Sequence, residues 1–191
     1  MKSTNKLKRL ISLIVTMVIS VSILAFATGT TTAEAPNYLS PYPALRVQAH
    51  VQNIGWQDPV TEIMGGRDNT GASVVVGTTG RSLRLEALRF GIINRPVGGG
   101  GIEINAHLAG TGWTGFKRAI IPNMVEIGTT GQSRAIEAVQ IRLTGRLAKY
   151  YTIEYRMHLA GTGWTGYSRN GMTCGTTGQS RRAEALEIRI K

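Results

Sequence analysis

The sequence predicts an all-β, pseudo-threefold domain, β-prism-like, with about four strands in each of three repeats. Three observations predict it. One stretch is written three times: His50, Gly55-Trp56, Gly77-Thr78-Thr79-Gly80 and Glu86-Ala87-Leu88 recur as His107, Gly112-Trp113, Gly128-Thr129-Thr130-Gly131 and Glu137-Ala138-Val139. They recur again as His158, Gly163-Trp164, Gly175-Thr176-Thr177-Gly178 and Glu184-Ala185-Leu186. The run leading to each His alternates, as in Leu45, Val47, Ala49 and Val51 with Arg46, Gln48 and His50 between them. The run after each Gly-Thr-Thr-Gly alternates too, through Leu88-x-Phe90-x-Ile92, Val139-x-Ile141-x-Leu143 and Leu186-x-Ile188-x-Ile190. Period-two alternation marks a half-buried strand. Repeats too small to bury a core alone must share one, and closing three of them on each other removes open sheet edges. A β-trefoil is the alternative, since the two short strands of each copy could form its hairpin cap.

The repeats are placed at 45–92, 102–143 and 153–190, and their spacing separates framework from surface. From the first Gly of Gly-Thr-Thr-Gly to the next His is 30 residues both times, whereas Trp to the following Gly shrinks from 21 to 15 to 11. Longer surface loops cost little extra closure entropy. The Trp-to-Gly insert is therefore expected to be an exposed hairpin.

Taken in order, residues 1–27 read as a secretory signal: Lys2, Lys6, Lys8 and Arg9 precede the uncharged run from Leu10 to Ala27. Cleavage fits after Ala27 or after Ala35, and Pro36 behind the second favours the first. Residues 28–44, with Pro36, Pro41 and Pro43, read as an extended linker. The remaining 45–191 suits one domain. Within the inserts, Asn170-Gly171 is a two-residue hairpin signal, replaced by Ile121-Pro122-Asn123 in the second copy and expanded around Asp68-Asn69-Thr70-Gly71 in the first. Leu147 to Tyr150 has room for one helical turn in the second linker.

From Pro36 onward there are 18 Lys and Arg against 10 Asp and Glu. A basic secreted domain is drawn to anionic polymers, but the charges are scattered singly, as on a solvated surface. No specific nucleic-acid site and, after signal cleavage, no membrane association is expected; the domain is expected to be a monomer. Cys174 is the only cysteine, in register with Val76 and Ile127, which reads as a small buried hydrophobe.

Trp56, Trp113 and Trp164 are the candidate binding residues, with Phe116 and Tyr167 beside the later two. A flat ring next to Gly, at the base of a variable hairpin, can stack on a sugar or anchor a protein. The competing reading is that they cap the core between repeats. His50, His107 and His158 fall one per repeat with no metal-ligand spacing, so a structural hydrogen bond is expected, to the Glu of the same repeat. On strict parity Glu86, Glu137 and Glu184 face inward and must be paired, unless a bulge at the following Ala turns them out. Gly-Thr-Thr-Gly-Gln-Ser lacks the Lys and helix of a phosphate loop and reads as a positive-φ turn. Symmetric Ser and His give no asymmetric constellation of nucleophile and base, so no enzyme, cofactor or metal is expected.

His-x-x-x-x-Gly-Trp followed by Gly-Thr-Thr-Gly-Gln-Ser-x-Arg-x-Glu-Ala-hydrophobic-x-Ile resembles the ChW repeat, the clostridial hydrophobic repeat with a characteristic Trp. The likeness runs over all three copies, with Arg81 in place of Gln in the first and Gly-Thr-Gly-Trp rather than Ile54-Gly55-Trp56 in the others. The resemblance implies a secreted or cell-wall-associated module of a Gram-positive bacterium, with a role in binding or adhesion. The ligands it leaves open are a cell-wall or extracellular polysaccharide, a cell-surface protein, or an anionic polymer such as teichoic or nucleic acid.

Overall fold

The computed structural model describes residues 42–63, 73–94 and 99–191. The expected signal segment, most of the linker and the turn at 68–71 lie outside them. Among the described residues, fifteen strands form three five-stranded sheets, none closed into a barrel. That is the prism arrangement rather than the trefoil.

Each repeat supplies a long strand, a two-residue strand, two short strands and a second long strand. In the first these are β1 (Ala44–Val51), β2 (Gly55–Trp56), β3 (Val60–Ile63), β4 (Val74–Gly77) and β5 (Leu85–Ile92). The second has β6 (Gly101–Leu108), β7 (Gly112–Trp113), β8 (Lys117–Ala119), β9 (Val125–Gly128) and β10 (Ile136–Thr144). The third has β11 (Ile153–Leu159), β12 (Gly163–Trp164), β13 (Ser168–Arg169), β14 (Cys174–Gly175) and β15 (Ala183–Ile190). The five strands exceed the expected four because the Gly-Trp dipeptide folds back on the His-bearing strand.

Within a repeat the two long strands pair antiparallel, and the second and third strands line the outer edge of the first. The fourth strand leaves. β9 pairs with β5, β14 with β10, and β4 with β15, so each repeat lends one strand to the sheet of the repeat before it and the exchange closes in a cycle. This corrects the expected hairpin in the insert. Asn170 and Gly171 do make the turn, at φ 45° and 87°, with Met172 N donating to Arg169 O at 3.0 Å. The strands on either side then diverge into different sheets. A ladder of two residues is too short to stand alone, whereas pairing with a neighbour's long strand buries Val76, Ile127 and Cys174.

The inward residues of all three sheets meet in one core that includes Leu45, Phe90, Ile104, Ile141, Tyr155 and Ile188. Tyr155 is fully buried; its hydroxyl accepts from Ile141 N at 3.0 Å and donates to Met172 O at 2.5 Å, tying the third repeat to the second. The first strand begins within the stretch expected to be linker and is fastened there. Ala44 N donates to Asn94 Oδ1 (2.7 Å) and Asn94 Nδ2 to Tyr42 O (2.6 Å). The expected helical turn is α1 (Leu147–Tyr150), anchored by buried Leu147.

Candidate functional site

A β-bulge decides where the repeated carboxylates go. In the first repeat His50 pairs with Ala87 and Val51 with Leu85, so Glu86 is the extra residue; Glu137 and Glu184 are skipped in the same way. The bulge lies at the Glu itself, not at the following Ala, and it moves each carboxylate off the inward face and onto that of the His. His50, His107 and His158 Nδ1 lie 3.0, 3.1 and 3.1 Å from Oε2 of Glu86, Glu137 and Glu184. A nitrogen facing a carboxylate carries the proton. The angle completes a hydrogen bond in the third copy and falls short of one in the first two, where the contact is electrostatic. The three histidines stand on three different sheets, and no group of His, Cys, Asp or Glu fit to hold a metal occurs among the described residues.

The second carboxylate oxygen differs between copies. Arg84 Nε and Nη2 donate to Glu86 Oε1 at 2.9 and 2.8 Å, and Arg182 Nη2 donates to Glu184 Oε1 at 2.8 Å. The corresponding residue before Glu137 is Ala135. Glu86→Ala and Glu184→Ala should therefore each destabilise by roughly 1–3 kcal/mol, because a half-buried His loses its carboxylate contact and an Arg loses its acceptor. Glu137→Ala orphans only His107 and should fall at the low end. Denaturant melts check this, and a loss for Glu137→Ala as large as for the others would refute the ordering.

The Gly-Thr-Thr-Gly turn is the joint between repeats. Thr129 N donates to Glu86 O (2.9 Å), Thr176 N to Glu137 O (3.0 Å) and Thr78 N to Glu184 O (2.8 Å). The leading glycines lie against Ala87, Ala138 and Ala185 of the neighbouring sheet, at φ between 95° and 106°. This accounts for Gly-Thr-Thr-Gly and Glu-Ala recurring together: each half of the motif is the socket for the other half in the next copy. The first part of the turn is thus occupied in holding the ring together, and only its tip is exposed.

Each Trp packs edge-on to the His of its own repeat, with centroids 5.3–5.5 Å apart and ring planes at 78–81°. They sit on the outer face of the sheets and are absent from the core cluster. What covers them differs. Arg89 lies over Trp56 at 3.9 Å and Arg156 over Trp164 at 4.9 Å. Trp113 has no arginine over it among the described residues and is 39 % exposed. In place of the arginines, the second repeat has two amides, with Asn105 Nδ2 donating to Gln140 Oε1 at 3.1 Å and Gln140 Nε2 to Thr173 Oγ1 at 3.0 Å. Phe116, also 39 % exposed, carries Arg142 on its face at 4.0 Å.

Tyr167 is held differently, between Arg156 (4.8 Å) and Arg189 (3.8 Å), with its hydroxyl donating to Glu187 Oε1 at 3.0 Å. Burial and that carboxylate raise its pKa above the usual tyrosine value. Burial also pushes Glu187 up, but bonds from Arg156, Ser73 and Tyr167 outweigh it and hold the carboxyl below its usual range. Tyr167 therefore serves an ion network on the third sheet. Cys174 is buried with Sγ 3.4 Å from Thr165 Oγ1, and burial raises its pKa. Asn105, Gln140 and Ala135 are site residues that motif reading passes over, because they are exceptions to the repeat. A copy-by-copy comparison of Gln48/Arg89, Asn105/Gln140 and Arg156/Glu187 exposes the one neutral pair.

The family model described as Clostridial hydrophobic W matches residues 107–145 and 158–191. No curated protein and no solved structure matches the chain. The first copy lies outside both matched segments, yet its strands, bulge and His–Glu contact repeat those of the other two.

Proposed function

From the premise that the second and third repeats belong to the ChW family, we propose that the protein is a non-catalytic extracellular module that binds a neutral cell-wall or extracellular polysaccharide through its second repeat. What carries the reading is Trp113, open to solvent beside the Asn105–Gln140 amide pair. An indole face supplies stacking area, and planar amides supply donor and acceptor to adjoining hydroxyls. Few fixed polar groups around an apolar surface is the usual composition of a small-ligand site. Trp56 and Trp164, capped by arginines, serve the domain as packed supports.

The test is affinity for purified cell-wall polysaccharide at low and at high salt. Trp113→Ala should lower affinity more than about tenfold, as truncating a central aromatic does, with melting behaviour unchanged. Trp56→Ala should lower it less. Salt should have little effect on stacking, whereas a polymer tracked by its phosphates would dissociate steeply as salt rises. Binding that collapses with salt and ignores Trp113→Ala would replace the glycan with an anionic polymer.

A further inference from the structure

The second repeat departs from the others at another point, across His107 from Trp113. Arg84 and Arg182 neutralise the second oxygen of Glu86 and Glu184, but Ala135 leaves that place unfilled beside Glu137. A cleft of about 550 Å³ opens there, between the second repeat and the Gly-Thr-Thr-Gly turn of the third. Its lining includes Ala135, Glu137, His107, Thr111, Ser180 and Arg182. The volume is in the range of small-molecule sites.

Glu137 is only 6 % exposed, and among the described residues its carboxylate has one side-chain partner, His107, on Oε2. Oε1 has no side-chain donor among the described residues. The nearby cations are engaged elsewhere. Arg134 Nη1 donates to Ala109 O (3.3 Å) and Thr111 Oγ1 (2.8 Å), and Arg182 is held by Glu184. A carboxylate this deep ordinarily has both oxygens bonded or paired, as its two counterparts do.

We infer that this cleft is a binding site for an organic cation, a primary ammonium or guanidinium group that takes the place against Glu137 Oε1 that an arginine holds in the other two repeats. The inference does not rest on stacking at Trp113. It concerns a separate cleft on the same repeat, where a group bearing an amine is distinguished from its acylated form. Arg182, also in the lining, is ion-paired with Glu184, which offsets its charge toward an incoming cation. Thr111 and Ser180 offer hydroxyls to the rest of the ligand.

The experiment is an NMR titration of the full chain, following His107 and the Gly112 amide. The probes are glucosamine and methylguanidinium, with N-acetylglucosamine as the neutral control. Saturable shifts with the cations and none with the control are expected. Glucosamine alone would assign the amine to a sugar, and methylguanidinium alone would assign an arginine side chain. Ala135→Arg restores the internal guanidinium, so it should weaken binding at least about tenfold, the worth of a charge-assisted bond, without lowering the melting temperature. Glu137→Gln keeps the shape, removes the charge and should weaken binding likewise. Equal binding of N-acetylglucosamine, undiminished binding in both variants, or no saturable shift with either cation would overturn the inference.

Discussion

Gly128→Ala is expected to lower the stability of the domain by roughly 3–5 kcal/mol, combining a backbone conformation foreign to L-residues with overpacking of a closed joint. Gly128 sits at φ 99°, and a Cβ built on it would run into Glu86 O and come within 2.7 Å of Ala87 Cα. Both obstacles are backbone and cannot swing aside. Relief would require β9 to lift from β5, which breaks the ladder that carries the second repeat into the first sheet. Gly77 and Gly175 meet Glu184–Ala185 and Glu137–Ala138 in the same way. The control is Gly131→Ala in the same turn. Gly131 has φ 72° but no atom within 4 Å of a new Cβ, so it should cost only about 1–2 kcal/mol, the left-handed penalty alone. Equal losses for the two variants in denaturant melts would show that the joint is not close-packed.

Tyr155→Phe should cost about 1–3 kcal/mol at neutral pH and should also remove a pH dependence that the wild type shows in alkali. The neutral loss arises because Ile141 N and Met172 O, both bonded to the hydroxyl, are left without that partner. The alkaline effect follows from burial, which pushes the Tyr155 pKa up to about 12, against an opposing bond from Ile141 N. The unfolded chain releases this proton near the ordinary value of about 10. Between those values the folded state binds more protons than the unfolded one, so stability falls as pH rises. The contribution is fully present below about pH 10 and declines by about 3 kcal/mol by pH 12, at about 1.4 kcal/mol per pH unit. Wild type and Tyr155→Phe should therefore converge in stability across that window. Parallel curves from pH 9 to 12 would show that Tyr155 is not sealed in the core.

The three repeats share a framework and divide the tasks laid on it. Gly-Thr-Thr-Gly and Glu-Ala recur in every copy as the two halves of the joint, and each copy's His and Trp pack beside its own half. Neighbours of those residues are free to differ, and the differences concentrate in the second repeat: Asn105 and Gln140 form the one uncharged pair, against Gln48/Arg89 and Arg156/Glu187, and Ala135 stands where the others have Arg84 and Arg182. Both proposed sites rest on these departures.

The sequence by itself determined the repeats, the all-β class, the long strands and the burial of Cys174. These follow from alternation and fixed spacing, which depend on which face of a strand a residue takes. Only the tertiary structure decided where the fourth strands go. Val74–Gly77, Val125–Gly128 and Cys174–Gly175 alternate equally well whether paired at home or in the sheet of the repeat before, and alternation does not distinguish one long strand's edge from another's. It also decided the face of Glu86, Glu137 and Glu184. One bulged residue reverses strand parity, and the neighbour's glycine docks on the residue after it. The exposure of Trp113 against the covering of Trp56 and Trp164 was likewise beyond the motif. It depends on side chains brought alongside from partner strands, Arg89 from β5 and Arg156 from β11, that are not part of the repeated motif.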